Sequence, residues 1–311
     1  MSTGIKKSLV RSVAESAIQS AWVQWRSLGS RIAAPRPARS MVDPEALVLV
    51  SLALRDHERR LWDVLASWAA SGSSLLSVQR IKNLTPAYPK RTAVHLAEFA
   101  RMALMEGGDQ RWRRLAGTGS APRPWKVDLR SPDSRSWDSA ALMVRLRLGI
   151  GVGLQADVLA FLLAQQGAWA SARALTEATG YSVYAIRRAA DKMAGARLIE
   201  STRAKPVEYR ADGRAWKAIL GLEDDVAPWR YWHQAYAFAA NLSALAEERA
   251  LEAPTPYLLA SCLRDLTEKH QDALRLNRIQ SPEVRQSTGE EYVAAFERVL
   301  VALAAWMRDA A

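Results

Sequence analysis

Residues 171–211 read SARALTEATGYSVYAIRRAADKMAGARLIESTRAKPVEYRA, and no other stretch restricts the fold as tightly. Ser171 and Ser182 each stand where a helix N-cap belongs, because a serine oxygen accepts a bond from the amides of the first turn. Gly180 closes the first helix, since glycine takes up the left-handed conformation that ends one. In the second helix, VYAIRRAADKMAGA, helical spacing turns Ile186, Ala190 and Met193 inward. The same geometry turns Val183, Tyr184, Arg187, Arg188 and Asp191 outward. Leu198 and Ile199 begin an extended segment, RAKP (203–206) turns, and VEYRA (207–211) returns antiparallel with Val207 and Tyr209 on one face. Upstream, ADVLAFLLAQQG (156–167) is an apolar helix with Leu159, Leu162 and Leu163 toward a core. AWA (168–170) can add a one-rung strand, and DGRAWKAIL (212–220) closes with a helix.

Two adjacent arginines on so short a helix call for a reason. An unpaired guanidinium is costly to remove from water, so the pair belongs on a surface. Such a surface either rests in solvent or lies on something polyanionic. A helix N-terminus that points amides and partial positive charge outward suits a phosphate.

The element order resembles the winged helix-turn-helix of bacterial transcriptional regulators, MarR-type in the broad sense. TGYSVYAIRRAADKMAGARLIES (179–201) is similar to that family's recognition helix and first wing strand, and SARALTEATG to the preceding scaffold helix. The resemblance spans about residues 155–220 and implies binding to double-stranded DNA. Contacts would come from Ser182, Val183, Tyr184, Arg187, Arg188 and Lys192 on the helix, with Arg203 and Lys205 at the wing tip. An arginine in the major groove can bond bidentately to guanine, and wing cations reach phosphates or a minor groove. One position departs from the pattern: Arg197 stands where many relatives have a glycine.

Charge agrees with such a partner. The 311 residues carry a net charge of +11, which favours nucleic acid, an anionic surface or an acidic protein. The excess lies in residues 1–220, whereas residues 221–311 are acidic. A single cysteine, Cys262, rules out an internal disulfide and a cysteine-rich zinc site, and suits the cytoplasm. No apolar run reaches the length of a membrane span.

The flanks read as helical. Residues 5–28 form a basic amphipathic helix, followed to residue 40 by a linker broken at Pro35 and Pro37. Residues 41–108 form a helical domain in which Asp43 caps a helix and Pro44 begins it. SVQRIKNL and KRTAVHLAEFARMALMEGG make a second, looser helix-turn-helix pattern within it, which would expose Arg80, Lys82, Lys90 and Arg91. Residues 109–154 are a connector rich in Gly, Pro, Ser and Arg, ending in GIGVG. That run lacks the lysine of a phosphate loop and reads as a hinge.

In residues 221–311, Val293, Phe296, Leu300, Leu303 and Met307 repeat by 3, 4, 3 and 4, an a/d seam. It can join two subunits into a homodimer or face inward in a bundle. The aromatic cluster Trp229, Tyr231, Trp232, Tyr236 and Phe238 can be core or the wall of an effector pocket. No histidine, serine or cysteine motif of a metal site or hydrolase is present, so neither catalysis nor a cofactor is expected.

The sequence thus predicts a mainly α chain with a helical N-terminal domain, a central winged helix-turn-helix at 155–220 with a two-stranded wing, and a helical C-terminal domain. The function it points to is cytoplasmic, homodimeric DNA-binding regulation. The competing reading is a protein–protein adaptor or regulatory subunit whose winged helix docks another protein.

Overall fold

The computed structural model describes residues 5–32, 36–119, 137–222, 225–252, 255–282 and 289–311. Pro35 of the linker and residues 120–136 of the connector lie outside that set. The chain is mainly helical, with one small antiparallel sheet. Six helices come first: α1 (Lys7–Ser27), α2 (Pro44–Ala53), α3 (Arg60–Ser71), α4 (Val78–Leu84), α5 (Lys90–Met105) and α6 (Arg113–Ala116). Next come α7 (Leu142–Ile150), α8 (Leu154–Ala164), β1 (Ala170–Ser171), α9 (Ala172–Thr179), α10 (Val183–Gly195), β2 (Glu200–Ser201), β3 (Glu208–Arg210) and α11 (Gly213–Leu220). The last four are α12 (Trp232–Glu247), α13 (Pro256–Lys269), α14 (Gln271–Arg275) and α15 (Gly289–Ala310).

Buried apolar side chains gather in two clusters. The larger takes residues from α1 to α6 and again from α12 to α15, so the helices expected to form separate N- and C-terminal domains share one core. α2 lies inside it: every residue from Pro44 to Ala53 is buried, and Asp43 accepts the Ala46 amide at 3.0 Å as its N-cap. α1 packs on α15, α12 and α2 through Val13, Ala17 and Ala21, while Trp25 tilts against Trp68 with ring centroids 5.4 Å apart. The basic N-terminal helix is therefore a core helix of the chain's own body.

The seam expected to join two subunits faces inward as well. Phe296, Leu300, Leu303 and Met307 are fully buried within the chain, and Val293 half-buried, because α15 lies between α1 and α13. The aromatic cluster at 229–238 is likewise core. Trp232, Tyr236 and Phe238 are fully buried in the larger cluster, and the Tyr236 hydroxyl meets Ser20 and Gln24 on α1 at 3.0 and 2.8 Å.

The smaller cluster joins α7, α8, α9 and α10 with Ile199, Tyr209 and Trp229. α7 belongs here through Leu142, Met143 and Leu146 and touches the larger core through Val144. The expected connector therefore ends in a packed helix, and the GIGVG stretch closes α7 with Gly149 and Ile150 and turns into α8 over residues 151–153. The sheet has three strands in the order β1-β3-β2: the expected hairpin pair and, at Ala170–Ser171, the short strand that AWA could add. β1 pairs with β3 through Ala170 and Tyr209, and β2 pairs with it through Ser201 and the same Tyr209.

Candidate nucleic-acid interface

α10 is set by its two ends and its inner face. Ser182 caps it, its hydroxyl oxygen accepting the Ala185 amide at 3.3 Å. Ile186, Ala189, Ala190 and Met193 bury the inner face against α8 and α9. Full burial of one such large apolar side chain contributes about 1.5–3 kcal/mol. Before the cap, Gly180 adopts a φ of +75°, which favours glycine, and a Cβ there would meet Leu84 Cδ2 at 2.7 Å. The turn into α10 is thus shaped by α4 as much as by its own residues.

The outer face carries every helix residue expected to meet DNA. Ser182, Val183, Tyr184, Arg187, Arg188 and Lys192 are all exposed, Tyr184 to 74%. The Arg188 guanidinium lies 5.9 Å from the Tyr184 ring centroid. Among the described residues no carboxylate ion-pairs with Arg187, Arg188, Lys192, Arg203 or Lys205. Their neighbours Arg210 and Lys217, by contrast, are paired with Glu200 and Asp225 at 2.8 and 2.7 Å. Asp191, the one acidic residue on this face, is engaged by the Tyr209 hydroxyl, which donates to Oδ1 at 2.8 Å. Burial raises the Tyr209 phenol, so it remains a donor at neutral pH.

The hairpin after α10 places two more cations alongside. Thr202 ties its neck, its amide donating to the Glu208 carbonyl at 2.9 Å and its Oγ1 accepting the Glu208 amide at 3.0 Å. Arg203 and Lys205 stand exposed at the tip. Arg197, in the turn between α10 and β2, sits at a φ of +59°, so an arginine occupies a backbone conformation that glycine takes more easily.

What positions this surface is a buried ionic cluster that sequence reasoning missed. Arg80 was expected on the surface; it is fully buried. Its Nε donates to the Thr179 carbonyl at 2.7 Å, and its guanidinium also bonds Asp43 and Glu45. Arg147 bonds Glu45 at 2.6 Å and Asp157 at 2.8 Å. Tyr181, in the turn before α10, donates to Asp157 at 3.1 Å and meets the Ser77 hydroxyl at 3.0 Å. Burial opposes ionisation of Asp43 and Glu45, but the two guanidiniums overcome it and hold both below the usual carboxylate range. Asp157 is pushed up by burial, consistent with three carboxyl groups facing two arginines. The available sequence signal was a charged residue inside an apolar helical run, as with Glu45 in PEALVLVSLAL and Asp157 in ADVLAFLLA.

The looser helix-turn-helix pattern at 77–108 does not present a comparable face. Arg80 is buried, Arg91 is half-buried and bonded to Glu247, Lys82 is half-buried, and only Lys90 is exposed. Among the described residues no cluster of His, Cys, Asp or Glu could hold a metal ion, and no helix is long and apolar enough to cross a membrane. Compared with family models, with curated proteins and with solved structures, the chain finds no match.

Proposed function

We propose that α8 to α11 with the three-stranded sheet act as a winged helix-turn-helix that binds double-stranded DNA, and that the chain is a transcriptional regulator. The observation that carries this reading is the Arg187–Arg188 pair, exposed and without a carboxylate partner among the described residues, on the outer face of a helix whose inner face is fully packed. Guanidinium groups left free on such a face suit a polyanionic partner.

In the proposed complex α10 enters the major groove with Ser182, Val183 and Tyr184 leading. Arg187 and Arg188 read guanine edges, and Lys192 meets the backbone. Arg203 and Lys205 hold the flanking phosphates. The engagement of Asp191 by Tyr209 keeps its carboxylate directed to the protein and away from the phosphates.

The test is a gel-shift titration of the purified chain against a random duplex at two salt concentrations. Binding that weakens steeply with salt supports the reading. No retention at low salt overturns it.

A further inference from the structure

We infer that the cleft between α1, α12 and α15 is a binding site for an apolar small molecule that carries a hydrogen-bonding group and no negative charge. The cleft has a volume of about 1240 Å³. That is ample for a drug-sized ligand, whose sites run to about 1,000 Å³. Ile5, Val10, Ile18, Leu251 and Val293 make its walls apolar.

One polar group faces this interior without a partner. Ser243 on α12 lines the cleft, is only 3% exposed, and its hydroxyl makes no hydrogen bond among the described residues. A buried hydroxyl left unpaired is costly, and a ligand acceptor or donor placed there removes that cost.

The rim decides the charge of the ligand. Its cations are already taken, Lys6 by Glu297 at 3.2 Å, Lys7 by Glu252 at 2.8 Å and Arg11 by Glu15 at 3.2 Å. Glu290, exposed at the same rim, has no ion-pair partner among the described residues. The mouth therefore repels an anion although the chain as a whole is cationic. The site is distinct from α10, and its test does not involve DNA.

The probe is Nile red, an uncharged fluorophore with a carbonyl acceptor, added to the full chain. Saturable binding with a blue-shifted emission is expected. Ala294→Trp fills the cleft from an exposed position and is expected to weaken that binding at least tenfold, while Ser243→Ala weakens it severalfold without altering the walls. Decyltrimethylammonium is expected to displace the dye at lower concentration than decanoate. Dye uptake that never saturates, equal binding by both variants, or stronger displacement by decanoate would overturn the assignment.

Discussion

Arg80 on α4 donates from Nε to the carbonyl of Thr179, the last residue of α9, at 2.7 Å. The bond joins the larger helical core to the turn that aims α10. Because the arginine is fully buried, its charge must be answered there, and Asp43 and Glu45 answer it. Replacing Arg80 by Met leaves Asp43 without its counterion, while Glu45 keeps Arg147. Removal of one partner from a buried ion pair destabilises by about 3–5 kcal/mol. Urea unfolding of the variant should show a loss of that order, whereas an exposed arginine such as Arg188 should cost almost nothing when replaced.

DNA affinity should separate two kinds of cation. Arg188→Ala is expected to cost about 1–3 kcal/mol on a specific site and to relax base preference locally. Lys205→Ala should weaken specific and random duplexes alike and shallow the salt dependence by about one unit in the logarithmic slope. Equal losses on both kinds of DNA for both variants would refute the division between base reading by α10 and phosphate contact by the hairpin.

Arg197 provides a test in which stability and binding move in opposite directions. A non-glycine residue in the left-handed region costs about 1–2 kcal/mol. Arg197→Gly relieves that cost, partly offset by the greater freedom of glycine in the unfolded chain. The thermal midpoint should rise by an amount corresponding to about 0.5–1 kcal/mol. Salt-sensitive DNA binding should fall slightly, because one charge beside the hairpin is gone.

Two histidines set the acid side of the stability profile. Burial lowers both His233 and His270 to about 4, with Asp43 opposing the effect at His233. An unfolded histidine titrates near 6.5, so the unfolded state binds these protons first. Their contribution is fully present above pH 6.5 and is lost as pH falls toward 4. Asp43 and Glu45, held low in the folded state, extend the loss below the ordinary carboxylate range. Unfolding midpoints measured between pH 7 and 4 should fall steadily, and a chain with His233→Gln and His270→Gln should show a flatter slope.

The inward-facing α15 seam makes a further distinction measurable. Phe296 is fully buried beside Phe238, with ring centroids 6.1 Å apart. Phe296→Ala should therefore destabilise the chain by about 3–5 kcal/mol. Sedimentation at native conditions should give the same mass for the variant and the parent. A change of mass with little loss of stability would place the seam between subunits instead.

The elements from α8 to α11 were legible because each is written locally. Caps, a glycine and a 3.6-residue spacing lie within a few residues of what they determine. The outward turn of Arg187 and Arg188 followed from Ile186, Ala190 and Met193 on the same helix. The position of Arg80 did not. SVQRIKNL and SVYAIRRAADK look alike as serine-capped basic helices, and what draws Arg80 inward is a pair of carboxylates more than thirty positions upstream. The shared core of the terminal helices was hidden for a similar reason. An amphipathic pattern reveals that α1 and α15 each need a neighbour, but not that they are each other's.

That pairing orders events when the chain is made. α1 is synthesised well before α15, on which it packs. Until α15 has been synthesised, the Val13 and Ala17 side of α1 lacks its cover, while everything from α7 to α11 can already close on its own apolar centre. Chaperones acting on this polypeptide would meet the exposed flank of α1 while the residues between the two helices are being made.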